Sequence, residues 1–252
     1  MDKKLVIANW KMNLPNKGIV HFLKSVIPET TNLQYVQPGI CPPYLFIPQL
    51  FELLDNSSIL LGAQNLHYED NGAFTGEISA QLLKTYCSLV IIGHSERRRL
   101  FHETDEEISK KIQTATRFNL TPILCVGENI TERKNNHSSK IVTSQLITGL
   151  SKINNSNNLI IAYEPLWAIG SGNAATPTDI ELMIKVIRQV ITKKFGEDTQ
   201  NTVRIIYGGS VSEDNINKII TLPDMDGVLV GNASLDPLKY NNIVKNIETI
   251  IT

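Results

Sequence analysis

Eight short runs in this chain are apolar without the alternation of a half-wet strand. They are LVIANW (5–10), YVQPGI (35–40), ILLGAQ (59–64), SLVIIGH (88–94), TPILCVG (121–127), NLIIAYE (158–164), VRIIYGG (203–209) and DGVLVG (226–231). A strand with one face in water alternates apolar and polar residues. A continuous run fits a strand covered on both faces, as in a parallel sheet flanked by helices. The gaps read as helices. Thr104 and Glu107 have capping-box spacing ahead of a helix to about Phe118, and Thr178 and Glu181 suggest a second box. Ile180, Ile184, Ile187 and Ile191 form a stripe at helical spacing, with Gly196 as its stop. Asp236-Pro237 reads as an N-cap followed by proline in the first turn.

Eight βα units within 252 residues fit an α/β fold, a closed eight-stranded parallel (β/α)8 barrel forming a single domain over residues 1–252. A doubly wound open sheet is the alternative. The polar residues at the ends of the runs favour closure. Asn9 and Lys11 follow the first run, His94 the fourth and Glu164 the sixth, and glycine-rich turns follow the seventh and eighth. An open sheet strings these ends along an edge, whereas a closed barrel gathers them at one mouth.

Composition narrows the partners. A net charge of −1 points to no nucleic acid and no anionic membrane surface. No apolar stretch approaches the ~18 residues of a membrane span. Asn9 and Lys11 interrupt the first run before a secretory-type core forms, so a cytoplasmic protein is expected. Cys41, Cys87 and Cys125 are odd in number and widely spaced, which suggests reduced, buried thiols. They give no disulfide or zinc signal.

Glu164 ends an apolar run, and AYEPLWAIGSG (162–172) hangs from it. A lone carboxylate at a strand end serves as often in a structural ion pair. Here Pro165 stiffens one hinge, Gly170 and Gly172 loosen the other, and Leu166, Trp167 and Ile169 offer an apolar cap. A carboxylate covered by such a cap loses water and gains strength as a base. His94 opens GHSERR, where a helix start favours neutral imidazole able to donate to a substrate oxygen. A packed or surface histidine is the plainer alternative. Arg97, Arg98 and Arg99 read as structural ion-pair partners. Asn9 and Lys11, two apart on an extended chain, should face one way and Trp10 the other, suiting an anionic substrate. YGGSV (207–211) and LVGNAS (229–234) offer backbone N–H groups where barrels commonly bind phosphate. QNLHYEDNGAFTGE (64–77) is long for a βα connection. Its Leu66, Tyr68 and Phe74 suggest either a self-packed loop or one buried in another subunit.

Taken in order along nearly the whole chain, NWKMN (9–13), GAQN (62–65), GAFTGE (72–77), GHSERR (93–98), CVGE (125–128), AYEPLWAIGSG, YGGSV and LVGNASL (229–235) resemble the triosephosphate isomerase family. The resemblance implies interconversion of dihydroxyacetone phosphate and D-glyceraldehyde 3-phosphate through an enediolate. It implies Glu164 as base, His94 as neutral electrophile, and Lys11 with Asn9 stabilising the developing charge. Backbone groups of Gly170, Ser210, Gly231 and Asn232 would hold phosphate, together with Asn9 and Lys11 as substrate contacts. A closing lid is implied over Pro165, Leu166, Trp167, Ala168, Ile169, Gly170, Ser171, Gly172, Asn173, Ala174, Ala175 and Thr176. A homodimer is implied too, with Phe74 and Thr75 of the 64–77 loop docked on the partner, and no cofactor. The chain departs from the family pattern at Asn173, where Lys is common, at Asn232, where a second Gly is common, and at Ser171, where Thr is commoner. Two other readings are an aldolase using Lys11 as a Schiff-base nucleophile and an inactive barrel kept for binding.

Overall fold

The structure, a computed structural model, describes residues 2–156, 158–168, 174–197 and 202–251. Its eight strands are β1 (Lys4–Asn9), β2 (Val36–Cys41), β3 (Leu60–Ala63), β4 (Leu89–Ile92), β5 (Thr121–Val126), β6 (Ile160–Tyr163), β7 (Arg204–Tyr207) and β8 (Gly227–Val230). Each pairs in parallel with the next, and β8 returns to β1 with Leu5 opposite Gly227. The barrel is closed, which removes the open-sheet alternative.

Both faces of each strand are buried, so the runs lack a polar phase. Leu5, Ile7, Leu89, Ile91, Ile123, Cys125, Ile160, Ala162, Ile206 and Leu229 form one cluster made of strand residues alone, filling the barrel. Their alternates, such as Val6, Ala8, Val90, Ile92, Leu124 and Ile161, join a second cluster that includes helix residues. Around the strands lie α1 (Asn16–Thr30), α2 (Ile47–Leu53), α3 (Ala80–Leu83), α4 (Ser95–Leu100), α5 (Asp105–Arg117), α6 (Ile130–Lys134), α7 (Ser138–Gly149), α8 (Pro177–Phe195), α9 (Ile216–Ile220) and α10 (Pro237–Ile251).

The α5 capping box forms as expected between Thr104 and Glu107. The α8 box does not fall on Thr178 and Glu181. It falls two residues earlier, on Thr176 and Asp179, because Pro177 takes the first helical position, where its missing N–H costs nothing. Thr178 is thereby placed inside the helix. The four isoleucines of the stripe are buried, and Gly196 ends α8 with φ 93°. Asp236 caps α10 through its Oδ1, which accepts the N–H groups of Leu238 and Lys239. Among the described residues, no helix is long and apolar enough to cross a membrane.

Candidate active site

Side-chain phase along the strands decides what reaches the barrel mouth. In β6, Ile160 and Ala162 point into the barrel, so Glu164 follows in the same phase and emerges at its rim. In β1, Leu5 and Ile7 do the same for Asn9. Trp10 turns outward and is fully buried. Its ring meets Phe22 edge-on at 5.1 Å, and its Nε1 donates to the carbonyl of Ser234. That bond ties the end of β1 to the turn after β8. His94 follows β4 out of phase, and Gly93 corrects it. With φ 72°, Gly93 adopts a conformation that costs other residues dearly, and a Cβ there would lie 2.8 Å from Ile108 Cδ1.

These residues line one cavity of about 380 Å³ at the carboxyl ends of the strands. Asn9, Lys11, His94 and Glu164 share it with Ser210, Gly231 and Asn232, so the residues read from sequence converge. Glu96 and Arg99 line it as well.

Glu164 is almost fully buried. Its Oε2 accepts the backbone N–H of Ser95 at 2.9 Å. Its Oε1 stands 3.2 Å from His94 Nε2, yet no hydrogen bond satisfies it among the described residues. An unsatisfied buried carboxylate oxygen is costly to maintain, and it leaves a lone pair free for another proton. Glycine makes the room for this carboxylate, since a Cβ on Gly208 would lie 2.8 Å from Glu164 Cγ. Beneath it, the buried Cys125 thiol is pushed up by burial and then by the Glu164 charge, so it stays protonated.

His94 Nδ1 accepts the backbone N–H of Glu96 at 3.1 Å. A nitrogen that accepts carries no proton, so the ring is neutral in this arrangement and its single proton belongs on Nε2, facing the cavity.

Lys11 enters the mouth by a different route from the one expected. It is not extended but left-handed, with φ 50°, a strain of roughly 1–2 kcal/mol for a residue with a Cβ. Three bonds hold it. Its N–H donates to Asn9 Oδ1 at 3.1 Å, its carbonyl accepts from Gln64 Nε2 at 2.9 Å, and its Nζ donates to Glu96 Oε1 at 2.5 Å. Burial alone would raise the Glu96 carboxyl. The Lys11 hydrogen bond and the charges of Lys11 and Arg99 outweigh it and hold Glu96 below its usual range. An amine bonded to a carboxylate is poorly placed as a Schiff-base nucleophile, which needs a free lone pair. Glu96 had looked only like part of a helix start. Its partnership with Lys11 spans 85 positions and leaves no local signal.

Asn232 opens a short 3-10 turn, Asn232–Leu235, and is not left-handed. Of the expected lid, Pro165, Leu166, Trp167, Ala168, Ala174, Ala175 and Thr176 are described. Ile169, Gly170, Ser171, Gly172 and Asn173 lie outside the described residues. The near end is anchored by Glu128, which is fully buried at the end of β5 and accepts from Trp167 Nε1 at 2.9 Å and from the Tyr163 hydroxyl at 3.2 Å. The Arg133 guanidinium covers the Trp167 ring at 4.0 Å. Glu128 ends an apolar run on a charge, as Glu164 does, and that shared pattern could have revealed it.

The 64–77 loop is partly self-packed. Leu66 is fully buried, Thr114 donates to the Tyr68 carbonyl, and Arg117 pairs with Asp70. His67 meets Tyr68 at 4.4 Å and Phe74 at 4.3 Å. Residues 71–77, Phe74 and Thr75 included, are exposed on this chain. Among the described residues, no group of three or more His, Cys, Asp or Glu side chains could hold a metal ion.

A family model described as triosephosphate isomerase matches residues 4–247. Curated relatives described as triosephosphate isomerase cover the chain nearly end to end. That of Thermodesulfovibrio yellowstonii is 45% identical over 247 residues, 97% of this chain and 100% of the relative. That of Carboxydothermus hydrogenoformans is 43% identical over 248 residues, covering 97% and 99%. That of Dictyoglomus thermophilum is 41% identical over 249 residues, covering 98% and 100%.

Proposed function

This chain belongs to the triosephosphate isomerase family, and from that premise we propose which of its residues carry the reaction. The reaction is an aldose–ketose isomerisation. It interconverts dihydroxyacetone phosphate and D-glyceraldehyde 3-phosphate through an enediolate, a step of glycolysis. Moving a proton between adjacent carbons requires a base, a donor at the neighbouring oxygen and exclusion of water.

Glu164 is the base. The observation that carries this role is its buried carboxylate on the wall of the cavity that Lys11 and His94 share, with Oε1 lacking a hydrogen-bond partner among the described residues. It takes the proton from one carbon and returns it to the next, after leaving the Ser95 N–H that now holds its other oxygen. His94 donates from Nε2 to the carbonyl oxygen, and a neutral ring can both give and recover that proton. Lys11, with Asn9 beside it, offsets the charge that builds on the enediolate. Proton transfer by a placed base contributes ~10²–10⁴-fold, and a donor at the developing oxyanion about 3–4 kcal/mol, so the groups must act together. Backbone groups of Ser210, Gly231 and Asn232, and of Gly170 from the lid, hold the phosphate. The lid from Pro165 to Thr176 closes over the base to keep it dry. Triosephosphate isomerases are themselves the standard example of a glutamate base paired with a neutral histidine under a closing loop.

The chain works as one barrel domain, in the cytoplasm, and as a homodimer. Met12 is 95% exposed, Leu45 82%, Phe74 42% and Phe101 65%. They follow β1, β2, β3 and β4 in turn, so they share one side of the mouth. An apolar sector of that kind asks to be covered.

A coupled assay of D-glyceraldehyde 3-phosphate conversion, wild type beside Glu164→Gln, tests the assignment. Fast wild-type turnover is expected, with kcat lower by at least ~10² in the variant and KM nearly kept. A variant that loses affinity but keeps turnover would remove Glu164 from the role of base.

A further inference from the structure

Three arginines follow one another in α4, and the fold uses them differently. Arg97 pairs with Glu103 at 3.4 Å. Arg98 is held by Asp105 and by the carbonyls of Gly93 and Cys125. Both are structural, as the sequence suggested. Arg99 is not. It is exposed, and among the described residues it makes no hydrogen bond or ion pair. It lines the reaction cavity and also a neighbouring cavity of about 290 Å³ that runs to Leu166 at the near end of the lid. Glu164 is the other residue common to both walls.

The charge balance of the mouth gives Arg99 its significance. The reaction cavity is walled by two carboxylates, Glu96 and Glu164, and by two cations, Lys11 and Arg99. The Lys11 ammonium is tied to Glu96 at 2.5 Å. Without Arg99 the wall would carry net negative charge, and a phosphate dianion approaching it would be repelled. The chain as a whole is no help, since its net charge is −1. Arg99 stands one helical turn beyond Glu96, the spacing at which side chains on a helix are neighbours.

We propose that Arg99 is an electrostatic steering residue for the phosphate-bearing substrate, offsetting Glu96 at the mouth without touching the reacting carbons. The proposal rests on the isomerase reading. It predicts that Arg99 acts on capture and not on the proton transfers. A fixed charge at the rim raises the local concentration of its counter-ion, and salt screens that effect.

The test compares wild type with Arg99→Gln and Arg99→Lys on two substrates, D-glyceraldehyde 3-phosphate and uncharged D-glyceraldehyde, across ionic strengths from about 0.01 M to about 0.5 M. For Arg99→Gln, kcat/KM on the phosphate should fall roughly three- to tenfold at low ionic strength and less than about twofold at high. Its kcat should hold, Arg99→Lys should recover most of the loss, and kcat/KM on D-glyceraldehyde should not change. Unchanged kcat/KM on the phosphate at low ionic strength would overturn the proposal. So would an equal loss on both substrates, which would mark Arg99 as structural. Wild-type protein inactive on both substrates would instead overturn the isomerase reading, and this proposal with it.

Discussion

Ser95 and Glu96 are consecutive, and their two backbone N–H groups orient the proposed base and the proposed electrophile together. The first holds Glu164 Oε2 and the second holds His94 Nδ1. A single turn of backbone therefore fixes which carboxylate oxygen stays free and which imidazole nitrogen bears the proton. Backbone donors suit this task because they do not titrate and have little freedom to move. Replacing His94 by alanine removes the cavity-facing donor and leaves Glu164 bonded to Ser95. We expect kcat to fall on the order of 10²–10³, with the far-ultraviolet circular dichroism unchanged. Turnover near that of the wild type would remove His94 from the mechanism. The residues of this site were legible because their types are unusual where they stand, a charge or an amide at the end of an apolar run. Their connections were not. The Lys11–Glu96 bond joins segments far apart in sequence, and the left-handed Lys11 backbone is imposed by Asn9 and Gln64. Nothing in RRR separates Arg99 from its two neighbours. Only the direction of each side chain does.

At the scale of elements, the strands were the most legible part, because burial on both faces writes itself as an uninterrupted apolar run. The start of α8 shows where such reading slips. TPTDIE offers two overlapping boxes, Thr176 with Asp179 and Thr178 with Glu181, and both satisfy the spacing rule. The proline decides between them, and the structure places Thr176 as the cap. The two choices make opposite predictions for stability. Thr176→Ala removes a hydroxyl that accepts from the Asp179 N–H at 3.2 Å and donates to the Asp179 carboxylate at 2.7 Å. It should cost ~1 kcal/mol and lower Tm by about 2–4 °C for a domain of this size. Thr178→Ala, inside the helix, should cost a few tenths of that at most, since alanine is the better helix former. Thermal unfolding of the two variants side by side checks the assignment, and a larger loss for Thr178→Ala would reverse it.

For the whole molecule, the question is why a barrel that closes on itself would need a second copy. The 64–77 loop supplies the argument. Its base is fastened to its own subunit by Leu66, the Thr114–Tyr68 bond and the Asp70–Arg117 pair, while residues 71–77 project into solvent. A loop braced at its base and exposed at its tip is prepared for docking, because little conformational freedom remains to be lost on association. The surface it would meet lies in the same sector. Met12, nearly wholly exposed, adjoins the strained Lys11. In the proposed homodimer, covering Met12 would press on the turn that carries Lys11 and would link assembly to the proposed chemistry through one residue. Removing the tip, residues 71–77, should therefore give a folded monomer whose kcat falls steeply, with sedimentation velocity reporting the change in mass. Mass and activity should fall together, and raising protein concentration should restore little of either. A shortened chain that sediments as a dimer would detach this loop from assembly. A fully active monomer would show that Lys11 is held well enough by Asn9, Gln64 and Glu96 alone.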